Sequence, residues 1–391
     1  MPTFDWIVVG NGLAGAALSY ELARQQFSVL LLDRALQPAS ATRFSYGGIP
    51  YWAGTTPLTR QLCREGIERH RQLSEELGID TQFRELDLVL TIAAGAEVET
   101  VAAPYRKCAI PPQLISAAAA QQLDPLLDAS TLAAALTVRH GHVSPTALVA
   151  AYNHGFQQLG GTVIIAPVTG LVRIGERVTG VTTPQQAYAA GHVAIAAGGY
   201  SRVLLKQADL PIPLYYTHAE LIETPPLDLT LRTLVMPADA QRFQLEAQVS
   251  APTTAPLWEQ PGREIAPPIL DSGAIQFQDG HLCIGQISRA LSDLEADIDA
   301  QASETQLRAA ICRHLPSLKG VPGTWHHCLV SFSRDGLPLV GPVANVTGVQ
   351  VFTGFSSPFA LLPPTAQRFA AWATGKPDDL IKQMTPARFT S

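Results

Sequence analysis

Residues 3–33 read TFDWIVVGNGLAGAALSYELARQQFSVLLLD, and the fold is decided in that stretch. Residues 3–9 are apolar and β-prone, and the turn Gly10-Asn11-Gly12-Leu13-Ala14-Gly15 follows at once. Over 13–26, Leu13, Ala17, Leu18 and Leu22 recur at helical spacing. Residues 28–32 form a continuous apolar run, the mark of a parallel strand buried on both faces, and Asp33 closes it. The spacing predicts one strand–helix–strand unit. In a G-x-G-x-x-G turn the first glycine permits the tight bend, the second lets a pyrophosphate approach the backbone, and the third lets helix and strand pack closely. The helix N-terminus offers N–H groups and partial positive charge to phosphates. A carboxylate at the end of the second strand accepts hydrogen bonds from ribose hydroxyls, which argues against a 2′-phosphate and so against NADP. A dinucleotide is expected, with FAD and NAD both open because each has an ADP half.

Composition narrows the partners. The 391 residues are 47% hydrophobic and 15% charged, which predicts a sizeable core rather than disorder. A net charge of -6 leaves no basic footprint for nucleic acid, so a small-molecule partner is expected. The five cysteines, Cys63, Cys108, Cys283, Cys312 and Cys328, show no C-x-x-C spacing and suggest neither a disulfide framework nor a zinc site. No signal peptide and no membrane span are read from the apolar runs, so a cytoplasmic, reduced protein is expected.

Further along, 57–78 reads as an amphipathic helix that Gly78 ends, and 145–159 as a helix opened by Ser144 with Pro145 in its first turn. Strands are expected at 163–165, 187–197 and 349–352, and a helix at 363–375. Residues 94–127 give weak signals, and 210–278 reads as proline-rich segments with alternating strands, as in an antiparallel sheet.

Three later segments favour FAD by resemblance. Ala41-Thr42-Arg43-Phe44-Ser45-Tyr46-Gly47-Gly48-Ile49 resembles the loop that flavin amine oxidoreductases wrap around the pyrophosphate and ring. Ala196-Ala197-Gly198-Gly199-Tyr200-Ser201 resembles their Ala-Gly-Ala-Trp-Ser turn, with Tyr200 for the tryptophan. Ser333-Arg334-Asp335-Gly336-Leu337-Pro338-Leu339-Val340-Gly341-Pro342 resembles their Pro-Asp-Gly-x-Pro-x-x-Gly element. Together they resemble the family of D-amino acid oxidases and dehydrogenases, glycine oxidase and sarcosine oxidase. Within it, residues 52–57 and Ser331-Phe332 look most like D-amino acid dehydrogenases.

The resemblance implies an α/β fold, with a Rossmann-type, glutathione-reductase-like FAD-binding domain at 1–85, 142–212 and 325–391. A second α+β substrate domain, built on an antiparallel sheet, would occupy 86–141 and 213–324. It also implies FAD contacts from Gly10, Gly12, Leu13, Ala14, Gly15, Asp33, Arg34, Thr42, Arg43, Ser45, Tyr46, Gly47, Gly48, Val168, Ala197, Gly198, Gly336, Gly354, Ser357, Pro358 and Phe359, of which 354–359 would approach the pyrimidine end of the flavin. His327, Tyr51 and Ser356 are the candidates for catalysis, and no metal is expected. Trp52, Tyr215 and Tyr216 are candidate pocket walls. Cys328 stands where sarcosine-oxidase-like members bond a cysteine to the flavin, whereas the lysine of those oxidases would fall at Cys283. Val330 stands where amino-acid-oxidising members carry a carboxylate-binding arginine. Either another cation replaces it, with Arg43, Arg60, Arg289 and Arg334 available, or the substrate is no simple amino acid.

The activity implied is hydride transfer from a carbon bearing an amine to flavin N5, with oxygen or a quinone as electron acceptor. Two alternatives stay open: a flavin dehydrogenase or reductase acting on a C–OH or C=C bond, and a flavin-binding protein without turnover.

Overall fold

The computed structural model describes residues 3–36 and 40–389. Strand Thr3–Val9 lies inside an eight-stranded sheet, flanked in parallel by Ala187–Ile195 and Val29–Asp33. Beyond Val29–Asp33 lies Thr162–Ile165; on the other side lie Val349–Thr353 and the edge strand Leu339–Pro342. A hairpin of Gly170–Ile174 and Arg177–Thr182 pairs antiparallel with the start of Ala187–Ile195. Ile7, Val8, Leu30, Leu31 and Leu32 are fully buried, the burial expected of parallel strands covered on both faces.

One face of this sheet packs on helices Leu13–Arg24, Pro57–Leu77, Pro145–Gln158 and Pro358–Ala373. Their boundaries follow from local chemistry. Thr56 and Thr59 form a capping box at the start of the second helix, and Gly78, at φ 70°, ends it. The Ser144 hydroxyl accepts from the Ala147 N–H, with Pro145 in the first turn. Such a cap is worth about 1 kcal/mol.

The second sheet has nine strands. Its order runs Thr324–Ser333, Leu214–Glu223, Leu282–Leu291, Glu264–Gln276, Leu234–Pro237, Arg84–Ala93, Leu132–His142 and Gly48–Ile49, with Gln113–Ile115 also paired to Leu132–His142. Pairing is antiparallel except between Leu234–Pro237 and Arg84–Ala93. Helix Ala300–His314 covers one face and the other turns toward the first sheet. Thr324–Ser333 pairs with Leu214–Glu223 from Thr324↔Glu223 to Ser333↔Leu214, so this strand belongs by hydrogen bonding to the second sheet. The sequence-based expectation of an FAD-domain segment at 325–391 includes nearly all of this strand, and its pairing departs from that division. The stretch 210–278 is also not uniformly extended, because helix Gln241–Val249 and the 3-10 turn Ala255–Glu259 interrupt it.

The last long helix starts at Pro358 rather than at Pro363, and Pro363 and Pro364 lie inside it. Two internal prolines remove the N–H groups that would bond the carbonyls of Phe359 and Ala360. Both carbonyls meet the helix Pro57–Leu77 instead. Burial pushes the His70 imidazole down to about 4, and its neutral ring donates from Nε2 to Phe359 O at 2.7 Å. A Cβ at Gly66 would stand 1.9 Å from Ala360 O, so only glycine admits that carbonyl. We therefore expect Gly66→Ala to destabilise the protein by about 1–3 kcal/mol through overpacking, and His70→Phe by about 1–3 kcal/mol through the unpaired carbonyl. Urea unfolding with an unchanged m-value is the check. If both variants stay within about 0.5 kcal/mol of the parent, the account of this helix is wrong.

Candidate active site

The glycine turn is shaped by backbone contact. Gly10 has φ 107°, and a Cβ there would lie 2.6 Å from Ala196 O. A Cβ at Gly15 would lie 1.6 Å from Gly10 O, which locks the helix against the strand. Gly12 differs, since its Cβ would meet only Thr42 Oγ1 at 3.2 Å and otherwise enter open space. Asp33 Oδ2 accepts from the Asn11 N–H at 2.5 Å, and Oδ1 from the Ala35 N–H at 3.0 Å, so the carboxylate also braces the turn. Thr42 Oγ1 accepts from the Leu13 N–H at 3.0 Å, bringing the loop after the second strand over the helix start.

From this turn a cavity of about 750 Å³ runs between the two sheets. Of the residues expected from the sequence, it is lined by Gly10, Gly12, Leu13, Ala14, Asp33, Arg34, Thr42, Ser45, Tyr46, Gly48, Val168, Ala197, Gly198, Gly354, Ser357, Pro358 and Phe359. His327, Ser356 and Cys328 line it as well. Five others stand off its wall. Gly15 and Gly47 are packed against backbone, with Gly47 at φ 66° and its Cβ position 2.0 Å from Val143 O. Gly336 forms an exposed turn at φ 74°, beside an Asp335 carboxylate held by Arg388. Arg43 makes a two-point pair with Glu223 at 2.8 and 2.9 Å. Tyr51 donates its hydroxyl to Glu85 Oε1 at 3.0 Å, and burial raises that hydroxyl to about 12.

The remaining expectations also separate. The His327 ring stacks on Trp325 and on His218 with centroids 5.1 and 5.8 Å away, so its face is taken up by protein. Burial pushes the Cys328 thiol up to about 12, with Sγ 3.8 Å from Ala219 O. Trp52 lines the cavity, whereas Tyr215 and Tyr216 belong to a separate buried cluster around Trp258. Arg60 bonds the backbone oxygens of Gly54 and Lys107, Arg289 pairs with Glu220, and Arg334 lies over the Phe389 ring. None of the four arginines offered in place of Val330 lines the cavity.

Arg242, Asp239, Asp271, Tyr105, Gln286 and His140 do line it, and sequence reasoning missed all six. Trp52 Nε1 donates to His140 Nδ1 at 3.0 Å, and burial lowers His140 to about 3, so this histidine is a neutral ring with its proton on Nε2. Tyr46 donates to the carbonyls of Gly285 and Gly273, pinning the 40–48 loop to the second sheet. The one available signal was Asp271, an acid inside the otherwise apolar and proline-rich run 265–275.

The donors and shape fit FAD. There is a glycine cradle that one Cβ at position 12 would fill, a carboxylate at the cradle's end, and a long cavity leading to a mainly apolar chamber with a few polar groups. Among the described residues no group of His, Cys, Asp and Glu could hold a metal ion, and no helix is long and apolar enough to cross a membrane.

Comparison with known proteins agrees. The family model described as FAD dependent oxidoreductase matches residues 5–372. The chain is 25% identical over 388 residues to a glycine oxidase of Pseudomonas putida, covering 94% of each chain. It is 22% identical over 396 residues to the mitochondrial dimethylglycine dehydrogenase of Mus musculus, of which it spans 44%. The solved L-proline dehydrogenase of P. horikoshii superposes with a TM-score of 0.81 at 18% identity, covering 100% of this chain and 99% of that one.

The contrast between the glycines yields a test. Gly12→Ala is expected to unfold within about 0.5 kcal/mol of the parent, yet to bind FAD at least about tenfold more weakly, a loss of 1.4 kcal/mol or more. Titration of the apoprotein with FAD, followed by flavin fluorescence, measures it. Unchanged affinity would mean that the dinucleotide does not lie against this turn.

Proposed function

The chain belongs to the DAO family of FAD-dependent oxidoreductases, and on that premise we propose that it oxidises the C–N bond of an amino acid or N-substituted amine. Bound FAD supplies the hydride acceptor for such a reaction, while the protein supplies binding, orientation and a dry site. The observation that carries the reading is one continuous cavity, which joins the Asp33 turn to a chamber walled by Trp52, Leu88, Leu90 and Met236, with a few polar groups inside.

The residues divide the work by position. The backbone of Gly10 and Gly12 and the start of helix Leu13–Arg24 would face the pyrophosphate, and Asp33 the adenosine ribose. Val168 would meet the adenine through its backbone. The start of helix Pro358–Ala373, with Ser357 and Pro358 on the cavity wall, would place its positive dipole end near the flavin pyrimidine. The apolar walls exclude water, which keeps the amine oriented and strengthens every polar contact with it. Ser356 reaches the cavity and remains a candidate for substrate contact, whereas the positions of Tyr51 and the His327 ring argue for structural duties. The Cys328 thiol, held protonated by burial and with no cation acting on it, favours a non-covalent flavin. The relatives named as glycine oxidase and dimethylglycine dehydrogenase support an amine substrate.

Val330 on the cavity wall keeps one rival in view, oxidation of a C–OH or C=C bond by a site with no arginine at that position. Anaerobic mixing separates the two. The purified flavoprotein is expected to lose its visible absorbance with at least one member of a panel of amino acids, N-methylated amino acids and primary amines, and to keep it with the matched alcohols. Bleaching by the alcohols alone would replace the proposal with its rival.

A further inference from the structure

At the substrate end of the cavity the charges do not balance. Asp271, on strand Glu264–Gln276, is 9% exposed, lines the cavity, and its Oδ1 has no hydrogen-bond partner. Asp239, ahead of helix Gln241–Val249, lines the same chamber and orients its own carboxylate on the Gln241 amide. Among the described residues Arg242 is the guanidinium that acts on Asp271, but its hydrogen bond goes elsewhere and its Nε, like Glu246 Oε1, has no hydrogen-bond partner. Its Nε lies 3.3 Å from Glu246 Oε1, its Nη2 donates to Ser356 O at 3.0 Å, and its carbon lies 4.9 Å from the Phe243 centroid. No ion pair among the described residues joins a cation to Asp271. The other titratable groups that act on Asp271 or respond to it are the hydroxyls of Tyr105 and Tyr46, which add no positive charge. A buried carboxyl without a partner is costly, and one cation supplied by a ligand removes the cost.

We propose that Asp271 is the substrate's recognition point: its carboxylate receives the ammonium group of a cationic amine and takes one proton from it, leaving the neutral amine that C–N oxidation requires, so that the chamber selects its substrate by positive charge rather than by a carboxylate. This rests on the C–N oxidation reading and narrows its substrate class. Arg242, hydrogen-bonded to the Ser356 carbonyl and in charge contact with Glu246, then acts as a brace that holds the 355–357 loop over the chamber. Val330 needs no replacement, because no carboxylate has to be gripped. Burial, with the Asp239 charge adding to it and Arg242 opposing it, pushes Asp271 up to about 7. Its folded value is raised, so the group is protonated below that pH and offers a carboxylate to a cation above it.

The probes are n-propylammonium and propionate, an amine and an acid of equal size, titrated into the holoenzyme. Binding is read from the flavin difference spectrum and from the shift in melting temperature. Propylammonium stays charged to about pH 10, so its pH dependence reports the protein. Its affinity is expected to rise about tenfold from pH 6 to pH 8, the change in ionised fraction of a group titrating near 7. Propionate is expected to bind at least about tenfold more weakly than propylammonium at pH 8. Asp271→Asn, nearly isosteric, should keep its FAD and melt near the parent. It should also bind propylammonium at least about tenfold more weakly at pH 8 and lose the pH dependence.

Tighter binding of propionate, or an Asp271→Asn protein that holds propylammonium as well as the parent, overturns the proposal. These results are separable from failure of the underlying reading. Propylammonium bound through Asp271 in a protein that no amine reduces would refute C–N oxidation and leave this site standing. Amines that reduce the flavin with unchanged KM in Asp271→Asn would do the reverse.

Discussion

Between Gly10 and Gly15 there is no room for a single carbon atom. The Gly10 carbonyl rests on the Gly15 backbone, and Gly10 itself turns under Ala196 at a φ that other residues avoid. That contact lets strand Thr3–Val9 hand the chain directly to helix Leu13–Arg24, with the helix start aimed back at the sheet's carboxyl edge. Asp33 secures the arrangement from the neighbouring strand by accepting the Asn11 N–H. The adjacent strands, the turn at 196–199 and the loop carrying Thr42 take their places around this point, so the mouth of the cavity follows from it.

The rest of the structure brings a second sheet to face this turn. Tyr46 anchors the loop after the second strand onto Gly273 and Gly285, and Arg43 pairs with Glu223. These ties draw the second sheet toward the first, and the cavity is the space left between them. Helix Pro358–Ala373 closes one end. Its two internal prolines cost it two backbone bonds, and it persists because His70 and Gly66 of another helix accommodate the freed carbonyls. The closing helix thus owes its length to tertiary contact, not to its own propensity.

Much of this was legible in the residues. The glycine turn, its flanking strands and Asp33 declare the dinucleotide unit, because each requirement there is local and steric. Ser144 and Gly78 mark helix ends for the same reason. The start of the last helix was not legible, since Pro363-Pro364 normally opens a helix and the groups that tolerate it lie on a remote segment. For Tyr51, a candidate for catalysis, and Arg43, an expected FAD contact, sequence gives the neighbourhood but not the direction, and both side chains turn to glutamates. Arg242 and Asp271 were missed for a deeper reason. They come together only when helix Gln241–Val249 packs on strand Glu264–Gln276, within a stretch that reads as proline-rich segments with alternating strands and shows no helix. A chamber assembled from such non-local pieces leaves no spacing to read.

The account stands on FAD held in the cavity by non-covalent contacts. The most direct measurement is the absorbance spectrum of the purified protein before and after acid precipitation. The account predicts a yellow protein with flavin bands, about one flavin per chain, and a yellow supernatant over a colourless pellet. Colour retained in the pellet would contradict the non-covalent flavin. A colourless protein that added FAD does not restore would contradict the account at its root.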